Sequence, residues 1–234
     1  MADNDPLEDL SRYAVRFPGP TLPLAGLRTA LVAVEEQLEH ARAQATIRLS
    51  ARHNRDPDLH PDDRDLDLYE LKVTVEQVLP HVFRGGFVLT LWSVFEVVAI
   101  RMAKYAAIQK AGDIAPFQWK QKPRETFLDV LDRVYSTKLG IRAFPDRIER
   151  EQLDQLRELR NVLIHHNGSV DGFPDSLRAA SSKGYAALGL DHYTDLHDEF
   201  VIPNAQFLRC NFELVERYLA SLSERAYEAA HPTP

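Results

Sequence analysis

Apolar residues recur along this chain at helical spacing, in blocks separated by proline, glycine and charge. Residues 1–21 form an acidic, proline-containing lead. Leu27, Leu31, Val34, Leu38 and Ala41 then mark a long helix over about 23–51. His53 to Asp67 is charged and punctuated by proline, which predicts a surface loop in which His53 and His60 are solvated. A helix is expected over about 67–80, with Pro80 near its end, and an almost wholly apolar helix over about 83–110. Phe127, Val130, Leu131 and Val134 mark a short helix within about 123–138. Leu153, Leu156, Leu159, Leu163 and Ile164 give the apolar stripe of a helix over about 145–167, with Phe144-Pro145-Asp146 as its start. Segments 185–190 and 199–202 can pair as a small hairpin. Pro203 then opens a last helix to about 228. The expected class is all-α, a helical bundle with a small β-hairpin after the helix at 145–167. The expected organisation is an N-terminal segment, helix and linker over 1–65, a bundle over 66–228 and a tail over 229–234.

Composition narrows the picture. The chain has 234 residues, 44% of them hydrophobic, enough for one substantial domain. Its one cysteine, Cys210, excludes an intrachain disulfide and fits a reducing cytoplasm; in a helix it is expected to be core or semi-buried. Met1-Ala2-Asp3-Asn4-Asp5 lacks the basic and apolar regions of a secretory signal. The apolar run Gly86–Ile100 is too short and too interrupted for a membrane span, which needs ~20 apolar residues. No membrane partner is expected, and the expected location is cytoplasmic.

The net charge of −7 argues against broad nucleic-acid binding, but it is unevenly spread. Residues 101–160 hold 13 Lys and Arg against 9 Asp and Glu, and the remainder 15 against 26. The stretch leading into the helix at 145–167 is therefore basic between acidic flanks. That pattern suits a surface facing RNA, and equally a chance segregation of solvated helix charges.

Candidate chemistry concentrates at the end of that helix, in Glu158-Leu159-Arg160-Asn161-Val162-Leu163-Ile164-His165-His166-Asn167-Gly168. Arg157, Asn161 and His165 are spaced i, i+4, i+8 and share a face. His165 lies in the last turn, where the helix dipole favours imidazolium, and Gly168 suits the left-handed residue that stops a helix. Arg160 falls at or inside the apolar stripe, where an unpaired charge is costly. Glu96 is the one charge within the apolar run Gly86–Ile100, so a Glu96–Arg160 pair is expected.

Arg160-Asn161-x-x-x-His165, followed shortly by Gly168 at a helix end, resembles the signature of the HEPN superfamily (higher eukaryotes and prokaryotes nucleotide-binding domain). Glu96 in its apolar helix adds to the likeness, which spans roughly residues 66–225. The resemblance implies a helical bundle that dimerises and acts as a metal-independent endoribonuclease, in a toxin–antitoxin or phage-defence setting. It implies catalytic roles for Arg160, Asn161 and His165 and supporting ones for Glu96 and His166, with no cofactor. The implied partners are RNA, tRNA among the candidates, a second copy of the chain, and an antitoxin or defence-system protein. Some relatives carry His-x-Tyr, whose tyrosine a partner enzyme modifies; Asn167 stands there in this chain, so that mode of control is not expected.

Arg157, Trp119 and Lys120 are candidate substrate contacts, the tryptophan by stacking on a base. The bland reading of Trp119 is an anchor for its loop. His192 and His197 with Asp191, Asp195 and Asp198 lack the spacing of a zinc site, and no metal is expected. Gly85-Gly86 lacks the lysine and hydroxyl of a phosphate loop and reads as a kink or as close helix packing. The rival function is a non-catalytic helical module that binds protein or nucleotide, with Arg160 and His165 satisfied internally.

Overall fold

The computed structural model describes residues 19–56, 58–111, 119–166, 191–193, 199–202 and 204–231. The described residues are overwhelmingly helical, and the protein is all-α in class. Among the described residues six α-helices run in the order α1 (Thr21–Arg55), α2 (Pro61–Val73), α3 (Leu79–Ala111), α4 (Phe127–Val134), α5 (Arg147–His166) and α6 (Ala205–Ala230). Between α5 and α6, β1 (Asp191–Tyr193) pairs antiparallel with β2 (Glu199–Val201), His192 opposite Phe200. The segment 185–190, expected as one arm of a hairpin, lies outside the described residues.

The expected loop from His53 to Asp67 shrinks to five residues, because both flanking helices invade it. Pro61 occupies a first-turn position, where its missing N–H costs nothing. The His60 ring nitrogen accepts the Asp62 N–H, and Asp62 and Asp63 favour the positive end of the dipole. His53 is not solvated either. Its Nε2 lies 3.1 Å from Asp67 Oδ2, and Arg52 reaches Asp67 Oδ1 at 2.8 Å. These contacts explain how Asp67, only 7% exposed, can lie buried among helices.

Pro80 does not end its helix. Thr74–Val78 forms a π turn in which the Leu79 N–H reaches back to Thr74 C=O, and α3 continues through the proline. The wider turn absorbs the missing donor and the ring of a proline inside a helix. Pro61–Lys110 is thus one continuous run of 50 residues. By length and composition it could cross a membrane, with a mean hydropathy of 1.6 over its most apolar window. Half of that window is buried within the protein.

The chain divides into two compact units, Met1–Leu22 with Phe95–Arg147 and Glu216–Pro234, and Pro23–Val94 with Ile148–Val215. This differs from a division at residue 65. The first long helix is built into the unit that holds α5, through buried Leu24, Leu27, Leu31 and Leu38 and an ion pair between Glu35 and Arg84.

In the unit containing Phe95–Arg147, Phe95 meets Phe127 and Tyr218 edge-on, each with ring centroids 5.7 Å apart. Tyr218 also stacks on Phe144 and donates its hydroxyl to Ala143 C=O. Tyr135 is fully buried and donates to Ala99 C=O at 3.0 Å; burial pushes its pKa far up. Thr126 and Asp129 close a capping box on α4, and Gly140 turns left-handed (φ 76°) to end the π turn Tyr135–Leu139 that follows.

Candidate functional site

Helix α5 forms because its apolar positions follow the 3.6-residue period, with Glu149 in the first turn. Leu153, Leu156, Leu159, Val162 and Leu163 are buried, each worth about 1.5–3 kcal/mol relative to exposure. Ile164, expected in this stripe, is 46% exposed, and Val162 takes its place at 1%. Position 164 falls about 20° from Leu153 around the helix, so periodicity alone includes it in the stripe.

Helix α3 meets α5 at Gly85. A methyl group there would lie 3.3 Å from Leu163 Cδ2, so the glycine permits close helix approach, as its sequence context suggested. Gly86 has nothing within 4 Å of the equivalent position. Beside them stands Arg84, to which the sequence reading assigned no role. Its Nε and Nη2 hold both oxygens of Glu35 at 2.9 and 2.8 Å, and Nη1 holds Ile202 C=O at 2.8 Å. One guanidinium thereby ties α1, α3 and the residue after β2. The lone cation at the head of an apolar helix was visible in the sequence; its acid, 49 positions away, was not.

At the end of α5, Arg160 is half-buried. Its Nη1 donates to Asn161 Oδ1 at 3.0 Å, while its Nε is buried with no hydrogen-bond partner among the described residues. Successive residues on a helix point about 100° apart, so this bond needs the long arginine to lean around the cylinder. Asn161 is half-buried and His165 exposed. The His166 side chain, Asn167 and Gly168 lie outside the described residues. The structure therefore brings Arg160 and Asn161 into contact, with His165 one turn beyond Asn161 on the same face.

Arg157, expected to touch substrate, is engaged elsewhere. Its Nε holds Asp154 Oδ1 at 2.8 Å and its Nη2 holds Glu158. Two carboxylates around one guanidinium leave it a poor anchor for phosphate.

Compared with protein-family models, with curated proteins and with solved structures, the chain matches none.

Glu96, Trp119 and Lys120 belong to the other unit. Glu96 is half-buried there, and its pair with Arg160 stands as an expectation. The Trp119 ring packs on Phe127 with centroids 5.4 Å apart, as a loop anchor would, and Lys120 is exposed beside it. Cys210 is exposed and accepts from Gln206 Nε2, in contrast to the semi-buried position expected for it. No group of three His, Cys, Asp or Glu side chains able to hold a metal ion occurs among the described residues. Of the His192 and His197 cluster, Asp195, His197 and Asp198 lie outside them.

Chemically, the end of α5 offers an exposed imidazole. One turn back lies an amide–guanidinium pair, in which a buried donor is left unsatisfied. An anionic oxygen placed beside this pair would be favoured by charge and by hydrogen bonding.

Proposed function

We propose that this protein is a metal-independent endoribonuclease of HEPN type, acting as a homodimer. The observation that carries the reading is the set at the end of α5: Arg160 hydrogen-bonded to Asn161 with its Nε unpartnered, and His165 exposed on the next turn of the Asn161 face. Cleavage through the RNA's own 2′-hydroxyl needs a base and an acid. One imidazole takes the 2′-OH proton as the 2′-oxygen bonds to phosphorus. The bond from phosphorus to the 5′-oxygen breaks, and a second imidazolium protonates that oxygen. Two motifs across a two-fold axis supply both imidazoles, and Arg160 from each offsets the charge growing on the phosphoryl oxygens. Asn161 holds the guanidinium in place. A toxin or defence role and a protein that restrains the activity follow from the resemblance alone, and a cytoplasmic location from the single cysteine.

The deciding experiment is cleavage of mixed tRNA and single-stranded RNA in EDTA by the wild type and by His165→Ala. Cleavage that survives EDTA and vanishes in the variant is the expected outcome. Equal background from both proteins, each folded, would sink the proposal. The rival, a non-catalytic binding module, is favoured by one specific observation, the engagement of Arg157 with Asp154 and Glu158.

A further inference from the structure

The segment from Trp119 to Pro145 carries three carboxylates, and every one is committed to the fold. Glu125 receives Nε and Nη2 of Arg133 and the backbone N–H of Lys122. Asp129 closes the capping box on Thr126. Asp132 accepts the Ala143 N–H. All three are half-buried. The cations of the same segment are disposed differently. Arg133 is spent on Glu125 and on Lys120 C=O, but Lys120, Lys122, Arg124, Lys138 and Arg142 are all exposed. This stretch thus presents five exposed cations and no exposed carboxylate, in a protein whose net charge is −7.

The cations are held on an ordered frame. Arg133 bonds Lys120 C=O at 2.7 Å and Glu125 at 2.9 Å, which fastens the 119–126 loop to the end of α4. The hydrogen bonds between this pair, joined at the carboxylate by the Lys122 N–H, hold the Glu125 carboxyl below its usual pKa and the Arg133 guanidinium above its own, so both stay ionised at neutral pH. Trp119 packs on Phe127 at the start of the loop. Arg124 is held at a positive φ of 69°, which is rare for a residue with a side chain and marks a shape imposed by its surroundings. Beyond α4, Lys110 Nζ bonds Leu139 C=O, and Arg225 bonds Arg142 C=O, fixing the backbone around Lys138 and Arg142.

We infer that this surface, formed by the 119–126 loop and the 135–142 turn, binds the sugar–phosphate backbone of RNA through Lys120, Lys122, Arg124, Lys138 and Arg142. The inference rests on the reading of RNA as the substrate, and it places substrate binding on side chains other than those of the motif. Contacts of this kind are electrostatic and carry no sequence information, so they give affinity, with selection left to the α5 end.

The test uses the full chain carrying His165→Ala, so that RNA is not consumed, and a fluorescein-labelled single-stranded RNA read by anisotropy from about 50 to 200 mM salt. Lys120→Gln, Lys122→Gln and Lys138→Gln are combined on that background; circular dichroism and a thermal melt check folding, and each single variant serves if the triple does not fold. Loss of three phosphate contacts should lower the slope of log affinity against log salt by about 2 and weaken binding more than tenfold at the lower salt. Unchanged affinity and slope in the triple variant overturn the inference, as does failure of the parent to bind at the lower salt. A wild type that binds RNA through these lysines and never cleaves it overturns the ribonuclease reading and leaves this surface standing. A wild type that cleaves, with lysine variants that bind normally, does the reverse.

Discussion

Arg160 and Asn161 are neighbours on one helix, and a 3.0 Å hydrogen bond joins their side chains while Arg160 Nε stays buried with no partner among the described residues. A buried donor without a partner costs about 1–3 kcal/mol, which Arg160→Met would relieve at similar volume. Arg160→Met should therefore unfold in urea at the wild-type midpoint or above it while abolishing RNA cleavage. A loss of several kcal/mol would identify the arginine as a structural member of α5 and favour the binding-module reading.

The two glycines at the head of α3 should part company on substitution. Gly86→Ala adds a methyl group to open space and removes backbone freedom from the unfolded chain, so a gain of up to about 1 kcal/mol is expected. Gly85→Val drives a branched side chain against Leu163 and should cost about 1–3 kcal/mol by overpacking. Equilibrium denaturation of both variants checks the pair, and equal effects would refute close packing at Gly85.

The Glu35–Arg84 pair is largely withdrawn from water, with side chains 24% and 12% exposed. Glu35→Ala takes the carboxylate away from a largely buried guanidinium and should destabilise by about 3 kcal/mol. Replacing both residues, Glu35→Leu with Arg84→Met, should cost less than the single change, because no orphaned charge remains. A double-mutant cycle with no coupling would contradict this account.

Two groups set the pH limits of the unit that holds them. Burial raises the Tyr135 pKa, so above about pH 10 the unfolded chain gives up a proton that the folded one retains. The unfolded state then binds fewer protons, and stability falls as pH rises. Tyr135→Phe should flatten that alkaline decline and cost about 1 kcal/mol at neutral pH for the lost bond to Ala99. Glu125 has the opposite sign. Its depressed pKa contributes stability at neutral pH that fades as pH falls below the ordinary carboxylate value of 4.5. Melting temperature against pH for Glu125→Gln should show a shallower acid decline than the wild type.

Most of the helices were legible in the sequence, because a helix buries one stripe and the stripe repeats every 3.6 residues. The capping box at Thr126 and the left-handed Gly140 obey equally local rules. The misreadings were local signals overruled from a distance. Pro80 looked like a terminator, and the π turn before it lets the helix pass. His53 looked solvated until a helix fourteen residues on delivered Asp67. Ile164 shared the stripe's apolarity and its period yet is half exposed, with Val162 buried in its stead, because what packs against the end of α5 is set elsewhere in the chain.

The sequence by itself determined the all-α class, the succession of helices and the placing of Arg160, Asn161 and His165 at the end of one of them. Those features depend on backbone periodicity and on residues within a turn or two of each other. Only the tertiary structure decided which charges are spent and which are exposed. It gave Arg84 to Glu35, Arg157 to Asp154 and Glu158, and Arg133 to Glu125, while Lys120 and Lys122 remain exposed. A guanidinium takes whichever carboxylate the packing brings within 3 Å. For Arg84 that carboxylate comes from a helix far away in the chain, and periodicity carries no record of it.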